Sequence, residues 1–138
     1  MSRVFGIGTD ICDVARIRAA WQRHGLRFAQ RILGAQELEV FTLRQTRAAA
    51  RGERYLATRF AAKEAFSKAI GLGIHVPMTW SACQILNAEG GRPHIALSGE
   101  LALWCDARSL RFHVSVADEV LTAVAFVVAE ADHPNSSA

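Results

Sequence analysis

The segment from Phe60 to Ile70 limits what this chain can fold into more than any other stretch, because its residues separate by type on a helix. Turned by about 100° per residue, one side carries only apolar residues: Ala61, Ala62, Ala65, Phe66, Ala69 and Ile70. The other side carries Lys63, Glu64, Ser67 and Lys68, with Phe60 in its middle. An aromatic ring between a carboxylate and an ammonium is costly to leave in water. We expect a helix that packs on one side and lines a site or interface on the other. The alternative is a surface helix with a Glu64–Lys68 ion pair worth about 0.2–0.5 kcal/mol.

A second patterned segment lies near the N-terminus and pairs glycines with an aspartate. It carries Gly6, Gly8, Asp10, Ile11, Arg16 and Ile17, and the later helix carries Arg59, Phe60, Lys63, Glu64, Ala65, Lys68 and Ala69. These motifs resemble those of the holo-acyl-carrier-protein synthases, which are small 4'-phosphopantetheinyl transferases with a G-[IL]-G-x-D-[IL]-x-x-x-x-R-[IL] opening and an R-F-x-x-K-E-A-x-x-K-A helix. Both motifs are complete, and the resemblance extends from residue 4 to about residue 130.

Length and composition predict one domain. The chain has 138 residues, about half of them apolar, which suffices for a single core over residues 1–130. We expect residues 131–138 to be a disordered tail. Three cysteines without C-x-x-C spacing favour a reducing, cytoplasmic location. The longest apolar stretch, residues 120–129, is too short to span a bilayer as a helix, so we expect no membrane insertion.

The order of elements predicts an α+β fold dominated by antiparallel pairing. A strand over 3–9 precedes a helix from residue 11 or 12 to 24, with Asp10 as its cap, and a short piece over 27–33. Helices follow over 35–47 and 53–70, separated by an interruption at Gly52. Hairpins over 81–97 and 111–129 flank a helix over 99–108 capped by Ser98. The resemblance implies the same single domain, with a mainly antiparallel sheet packed against the long helix.

Two acidic residues are the candidates for a metal site. The resemblance implies transfer of the phosphopantetheine arm of coenzyme A to a serine of apo acyl carrier protein, with Mg²⁺ bound by Asp10 and Glu64. Such a reaction must neutralise phosphate charge, and Mg²⁺ typically takes one or two carboxylates together with phosphate oxygens and water. The alternatives are that Asp10 is only a helix cap, a role compatible with metal binding, and that Glu64 is an ordinary surface carboxylate.

Glu64 and Lys68 are the candidate catalytic residues. Lys68 lies one turn beyond Glu64 and is placed to stabilise charge on the phosphates or the leaving oxygen. Glu64 is also a candidate to accept the serine proton, although a carboxylate bound to Mg²⁺ is a weak base. Asp118 stands where some family members have a second histidine, so no histidine base carries over. Asp118 either assists the site or stabilises the hairpin turn in which it lies. We expect His113 to be a packed side chain.

Coenzyme A needs groups that bind its 3'-phosphate and its pyrophosphate. The resemblance implies that it is the co-substrate and that the chain forms a homotrimer with active sites between subunits. An apolar last strand fits such a contact, although an edge strand covered within one chain is equally compatible. The implied cofactor-binding residues are Arg59, Ser67, Lys68, Gly71 and Gly73, with Arg51 reaching the site from a neighbouring subunit.

Charge is concentrated between Arg16 and Arg59, where ten arginines face three glutamates for a balance of +7. Such a stretch attracts polyanions. We expect an acidic carrier protein to dock on this region, although each arginine alone fits a solvated helix face. The expected docking residues are Arg16, Arg23, Arg27, Phe28 and Arg31. Only two residues are lysines, Lys63 and Lys68, against fourteen arginines, which indicates that both positions need a compact ammonium.

Two other functions are alternatives to transfer to a carrier protein. A basic nucleic-acid-binding module fits the charge, but the chain shows no helix-turn-helix, zinc or RNA-binding aromatic motif, so we expect no nucleic-acid partner. A degenerate family member with only an interaction role would be expected to lose Asp10, Glu64 or Lys68, and all are present. The resemblance therefore implies an enzyme of fatty acid biosynthesis and lipid metabolism.

Overall fold

The computed structural model of this chain describes residues 1–132. Five strands and five helices occur over that range in a mixed order, and the predicted α+β class is confirmed. The elements are β1 (Ser2–Asp13), α1 (Val14–His24), α2 (Leu26–Ile32), α3 (Ala35–Arg47), α4 (Ala49–Ile70), β2 (Cys83–Asn87), β3 (Pro93–Leu97), α5 (Gly99–Ala107), β4 (Leu110–Asp118) and β5 (Thr122–Asp132).

All of the strand pairing is antiparallel over the described residues, as predicted. One sheet has the order β1-β5-β4, and β2 and β3 form a separate hairpin. The long helix α4 packs across one face of the larger sheet, and its apolar side is buried as predicted. The core-facing members of that side are Ala61, Ala62, Ala65, Phe66, Ala69 and Ile70.

Two glycines on β1 allow the sheet and α4 to approach closely. A Cβ at Gly6 would overlap the carbonyl oxygen of Ala69, and a Cβ at Gly8 would overlap that of Ala65. Strand residues two apart share a face, so Asp10 continues the row that Gly6 and Gly8 begin. The two glycines thus bring the strand segment that leads to Asp10 directly against α4.

The opposite face of the larger sheet carries exposed apolar side chains. Ile7 and Ile11 on β1 and Val124 and Phe126 on β5 are all exposed, with Ile11 at 70 %. Alternate residues of β5 are buried on the α4 side, because successive side chains of a strand point to opposite faces. One face of the sheet is therefore covered by α4, while the other leaves several large apolar side chains exposed.

Several predicted boundaries are corrected. Strand β1 runs on to Asp13, and Asp13 rather than Asp10 caps α1 by accepting from the amide of Ala15. Gly52 does not interrupt a helix but lies buried inside α4, where a Cβ would overlap Gln45 of α3. Ser98 precedes α5 without a side-chain cap bond.

The predicted tail begins inside an ordered element. Strand β5 continues to Asp132 and pairs there with Ser2, so residues 131 and 132 belong to the sheet. The rest of the predicted tail, 133–138, lies outside the described residues. Over residues 1–132, none of the helices is both long enough and apolar enough to cross a bilayer.

Candidate active site

Asp10 and Lys68 meet where β1 passes the last turns of α4. The Lys68 ammonium donates to the Thr9 carbonyl oxygen at 3.0 Å and to Asp10 Oδ1 at 3.3 Å. The Lys68 side chain remains 52 % exposed and that of Asp10 18 % exposed. Lys68 is thus anchored at one side of the site while much of its side chain stays open to a ligand. Its ion-pair partner is Asp10, and not Glu64 as in the alternative of an ordinary surface helix.

Glu64 lies close enough to Asp10 for the two charges to interact. The pKa of Glu64 is raised, first because the side chain is half-buried and second because of the negative charge of Asp10, while Lys68 acts in the opposite direction. The structure therefore brings together the three residues predicted for metal binding and catalysis. We call Asp10, Glu64 and Lys68 the carboxylate site.

The predicted residues after Glu64 form the end of α4. Ser67 is buried, and its hydroxyl donates to the Glu64 carbonyl oxygen at 2.7 Å. Gly71 ends α4 in the left-handed region with φ of 82°, and the Gly73 amide, at φ of 64°, donates back to the Ser67 carbonyl at 3.1 Å. Glycine adopts these angles without strain, so a compact turn follows the end of α4 at Ile70, one turn of backbone beyond Ser67.

Arg51 and Arg59 line a different concavity, of about 830 Å³, on another side of the molecule. Three further arginines from α3 and α4 share it, and we call this concavity the arginine pocket: Arg44, Arg47, Arg51, Arg54 and Arg59. Sequence reasoning missed three of them. The available signal was their spacing, since Arg44 and Arg47 lie one turn apart on α3 and Arg51 and Arg54 one turn apart on α4.

Arg59 is held firmly inside the arginine pocket. Its guanidinium donates to the carbonyl of Ile85, to the hydroxyl of Thr58 and to Oδ1 of Asn87, each at 3.1 Å. It also stacks 4.3 Å from the ring centre of Tyr55, which contacts Arg44 from 5.0 Å. Burial lowers the pKa of Arg59 and raises that of Tyr55 to about 12. The guanidinium is therefore pre-oriented by fixed partners.

A single chain does not bring the carboxylate site and the arginine pocket together. Arg51 precedes Glu64 by thirteen positions of α4, or about 20 Å at roughly 1.5 Å per residue. Arg59 is closer than Arg51 to Glu64 along the helix axis, but its side chain leaves the helix about 140° away from that of Glu64. The two sets of cofactor-binding candidates thus face different directions.

Lys63 does not line a site, contrary to the expectation for the polar side of the helix. Its side chain is fully buried, and its ammonium donates to the Ile32 carbonyl at 2.6 Å, to Glu37 Oε1 at 2.6 Å and to the Trp80 carbonyl at 2.8 Å. Burial lowers the pKa of Lys63, and the Glu37 charge opposes that effect. Phe60 is covered by stacking on Trp80, with ring centres 5.1 Å apart.

The predicted docking residues occupy one exposed region of α1 and α2. All four arginines are exposed, and Phe28 is half-buried between the two helices and the core. A shallow cavity of about 300 Å³ is lined there by His24, Arg27, Phe28 and Arg31. We call Arg16, Arg23, Arg27, Phe28 and Arg31 the basic docking surface.

His113 is exposed rather than packed, which corrects the prediction. It lies on the outer face of β4, with Nε2 2.7 Å from Glu130 Oε1, because alternation along β4 turns Phe112 and Val114 inward instead. Asp118, at the end of β4, lines the arginine pocket. Neither residue belongs to the carboxylate site.

Comparisons with known proteins agree with these motifs. Residues 6–125 match the 4'-phosphopantetheinyl transferase superfamily. The chain is 61 % identical over 127 residues to the holo-[acyl-carrier-protein] synthase of Methylibium petroleiphilum, covering 92 % of this chain and 96 % of that protein. It is 60 % identical over 127 residues to the same enzyme of Herminiimonas arsenicoxydans, covering 92 % and 98 %.

Solved structures give the same result for the fold. The holo-[acyl-carrier-protein] synthase of Neisseria meningitidis superposes with a TM-score of 0.84 at 38 % identity, covering 92 % of this chain and 98 % of that one. The enzyme of Bacillus anthracis, solved in complex with CoA (3',5'-ADP), gives 0.78 at 31 % identity, covering 94 % and 98 %. These relatives lend no support to a nucleic-acid-binding module. The resemblance in the sequence is confirmed, and the chain belongs to the 4'-phosphopantetheinyl transferase superfamily.

Proposed function

We propose that this chain is a holo-[acyl-carrier-protein] synthase, which transfers the 4'-phosphopantetheine group of coenzyme A to a serine hydroxyl of apo acyl carrier protein. The convergence of Asp10, Glu64 and Lys68 carries the proposal, because these are the chemical groups that such a transfer needs. The similarity to enzymes of that name over 92 % of the chain supports it. The products are holo acyl carrier protein and adenosine 3',5'-bisphosphate, and the pathway served is fatty acid biosynthesis.

Asp10 and Glu64 fit a Mg²⁺ ion. Burial, and after it the charge of Asp10, raise the pKa of Glu64, and a divalent cation held by the two carboxylates would favour the ionised form of Glu64. Over residues 1–132 no group of three or more His, Cys, Asp and Glu side chains forms a metal site. A two-carboxylate site suits Mg²⁺, which completes its shell with phosphate oxygens and water. When bound, the ion would neutralise the pyrophosphate.

The reaction exchanges one phosphorus–oxygen bond for another. The serine oxygen attacks the phosphorus that bears the pantetheine, and the bridging oxygen of the pyrophosphate leaves with the adenosine bisphosphate. Glu64 is the candidate to accept the serine proton, directly or through a water, because it is the carboxylate on the α4 side of the site. Lys68, half-exposed and held by Thr9, directs its ammonium to the departing oxygen.

Coenzyme A is the co-substrate, and we infer that it is bound by two groups of residues. Ser67, Lys68, Gly71 and Gly73 shape the end near the carboxylate site, where the turn after α4 gives a ligand access to the backbone. Arg51 and Arg59 bind the 3'-phosphate in the arginine pocket, since guanidinium groups suit phosphate geometry.

We further propose a homotrimer with active sites between subunits. The pyrophosphate and the 3'-phosphate of one nucleotide are closer together than Glu64 and Arg51 of one chain, about 20 Å apart along α4. An arginine pocket from a neighbouring copy would complete the carboxylate site. The exposed apolar face of the larger sheet, which includes Ile7, Ile11 and Phe126, is a surface that such neighbours would cover.

Complementation between two variants tests the shared site. Asp10→Asn and Arg51→Ala each damage a different half, so mixed trimers assembled from both chains contain some intact sites. We expect mixing by co-expression to raise transfer activity several-fold above the sum of the separate variants. A mixture no more active than that sum would show that each chain binds the whole nucleotide.

The acidic carrier protein docks on the basic docking surface, where Phe28 offers an apolar contact between the arginines. We also propose a cytoplasmic location, because Cys12, Cys83 and Cys105 are all free and buried.

A direct assay tests the proposed function. The protein is incubated with apo acyl carrier protein, coenzyme A and Mg²⁺, and the carrier is weighed by mass spectrometry. We expect a mass gain equal to the phosphopantetheine arm, lost on chelation of the metal and restored by Mg²⁺. An unchanged carrier mass at high enzyme concentration would contradict the proposal.

A further inference from the structure

The Lys63 ammonium has all three of its donors satisfied by partners from different parts of the fold. It bonds Ile32 at the end of α2, Glu37 on α3 and Trp80 just before β2. Lys63 and Glu37 are both fully buried, and their closest atoms lie 2.6 Å apart. An ammonium has only three donors, so Lys63 is saturated and takes no part in binding phosphate.

The Glu37 carboxylate extends the same network. Its Oε1 also accepts from the Gly34 amide at 2.9 Å, and its Oε2 accepts from the Ile85 amide at 2.8 Å. The turn between α2 and α3 is therefore bonded to β2 and, through Lys63, to α4. We call Lys63 and Glu37 with these backbone partners the buried lysine network.

Helix α2 needs an external support of this kind. It has only seven residues, far below the length at which a helix is stable in water by itself. Its inner side buries Ala29 and Ile32, while Arg27 and Arg31 remain exposed on the outside. The carbonyl of Ile32 at its last turn is one of the groups that a helix leaves unpaired, and Lys63 satisfies it.

The position of Lys63 in α4 connects this support to the carboxylate site. Lys63 precedes Glu64 directly, so the two side chains leave the helix about 100° apart. One points to α2 and α3, and the other to Asp10. The distance from the outer residues of α2 to Glu64 is thereby fixed through a fully bonded, buried connection.

We propose that Lys63 and Glu37 are positioning residues that hold the α2 part of the basic docking surface in register with the carboxylate site. This inference rests on the proposed function, because it assumes that a carrier protein docks on α2. A carrier protein that contacts α2 while its serine enters the carboxylate site binds well only when these two surfaces are held at a fixed distance. Loosening α2 therefore weakens carrier binding more than coenzyme A binding. Neither residue touches a substrate.

The test removes both charges together. Lys63→Met combined with Glu37→Gln leaves no unpaired charge in the core, while the bonds from Lys63 to the Ile32 and Trp80 carbonyls are lost. The matched control is Gln84→Ala, which loses the two bonds that Gln84 accepts from the Gln36 and Glu37 amides but keeps the Lys63–Glu37 pair. Both variants loosen the start of α3, and only the first releases α2.

We expect the double variant to raise KM for apo carrier protein about tenfold and to leave KM for coenzyme A within about twofold. Hydrogen exchange of amides 29–33 should accelerate in the double variant and not in Gln84→Ala. A purely structural pair would lower Tm in both variants without separating the two KM values. Equal changes in both KM values, or unchanged exchange in α2, would overturn the proposal.

The wild-type protein provides a second test if the double variant does not fold. The network predicts that amides of the last turn of α2 open together with those around Lys63, at the same free energy of exchange. Opening of α2 well before that part of α4 would contradict it. This exchange measurement does not depend on transfer activity, so an inactive wild type would refute the proposed function and leave the mechanical part of the inference to be judged separately.

Discussion

Lys63 and Lys68 lie five positions apart on the same helix, and the regions around them differ in almost every physical respect. Lys63 is fully buried, with three fixed acceptors and a carboxylate partner that is also buried. Lys68 is half-exposed, with two partners at 3.0 and 3.3 Å. All three donors of the Lys63 ammonium have partners inside the protein. In the carboxylate site, by contrast, the side chains of Lys68 and Asp10 remain partly exposed to solvent.

This difference shows that one sequence motif serves two purposes. The inward lysine holds the surrounding elements in place, and the outward glutamate and lysine remain available for a ligand. Both positions need a compact ammonium: at Lys63 three acceptors converge on one point, and at Lys68 the charge must fit beside Asp10. Substitutions in the buried lysine network should therefore lower stability strongly, whereas substitutions in the carboxylate site should lower activity with little loss of stability.

The largest effect is expected from neutralising the carboxylate site. Asp10→Asn or Glu64→Gln should lower kcat/KM by about 1,000-fold or more, because each removes a charge that we assign to metal binding. Tm should stay within a few degrees, since neither side chain is fully buried. Glu39→Gln, an exposed carboxylate on α3, is the matched control and should keep wild-type activity. Activity within a few-fold of wild type in Asp10→Asn would contradict the metal role.

Lys63→Met alone should mainly lower the stability of the fold. It leaves the Glu37 carboxylate buried without its counter-charge, and removing one partner of a buried ion pair costs about 3–5 kcal/mol. Chemical denaturation followed by circular dichroism measures this loss. A free energy of unfolding within about 1 kcal/mol of wild type would show that the network stabilises little.

Lys68→Ala should mainly reduce kcat. Loss of one cation directed at a developing negative charge typically costs about 100-fold, and the exposed side chain contributes little to folding. Steady-state kinetics with coenzyme A as the varied substrate separate kcat from KM. A change confined to KM would assign Lys68 to binding rather than to the leaving oxygen.

The smallest effect is a pH dependence of stability without metal. Because the folded-state pKa of Glu64 is raised, its ionised form destabilises the folded protein, and this penalty grows as pH rises from about 4.5 through the raised value. With chelator present, Tm of wild type should fall relative to Glu64→Gln over that interval. Parallel Tm curves for the two proteins would contradict the shift.

The features that depend on neighbouring residues in the sequence were predicted correctly. The apolar side of α4, the bounds of α3 and the antiparallel hairpins follow from periodicity and turn residues, and all are confirmed. The cap of α1 was misassigned because Asp10 and Asp13 both suit a helix start, and only the pairing of β1 with β5 decides between them. His113 was misplaced because a strand pattern does not tell which face is buried.

Contacts between residues far apart in the sequence could not be predicted from local patterns. Lys63 and Glu37 are 26 positions apart, and no pattern in either helix indicates that they meet. Three arginines of the arginine pocket were missed for a related reason, since two separate helices build it. The three members of the carboxylate site were predicted because the family motifs include them.

Gly6 and Gly8 determine how closely β1 approaches α4 beside the carboxylate site. With no side chain at these two positions, the main chains of β1 and α4 lie in direct contact, which brings the backbones that carry Asp10 and Glu64 close together. A methyl group at either glycine would push β1 away from α4 and would thereby move Asp10 away from Glu64. The spacing of the two candidate ligands thus depends on residues that are not ligands themselves.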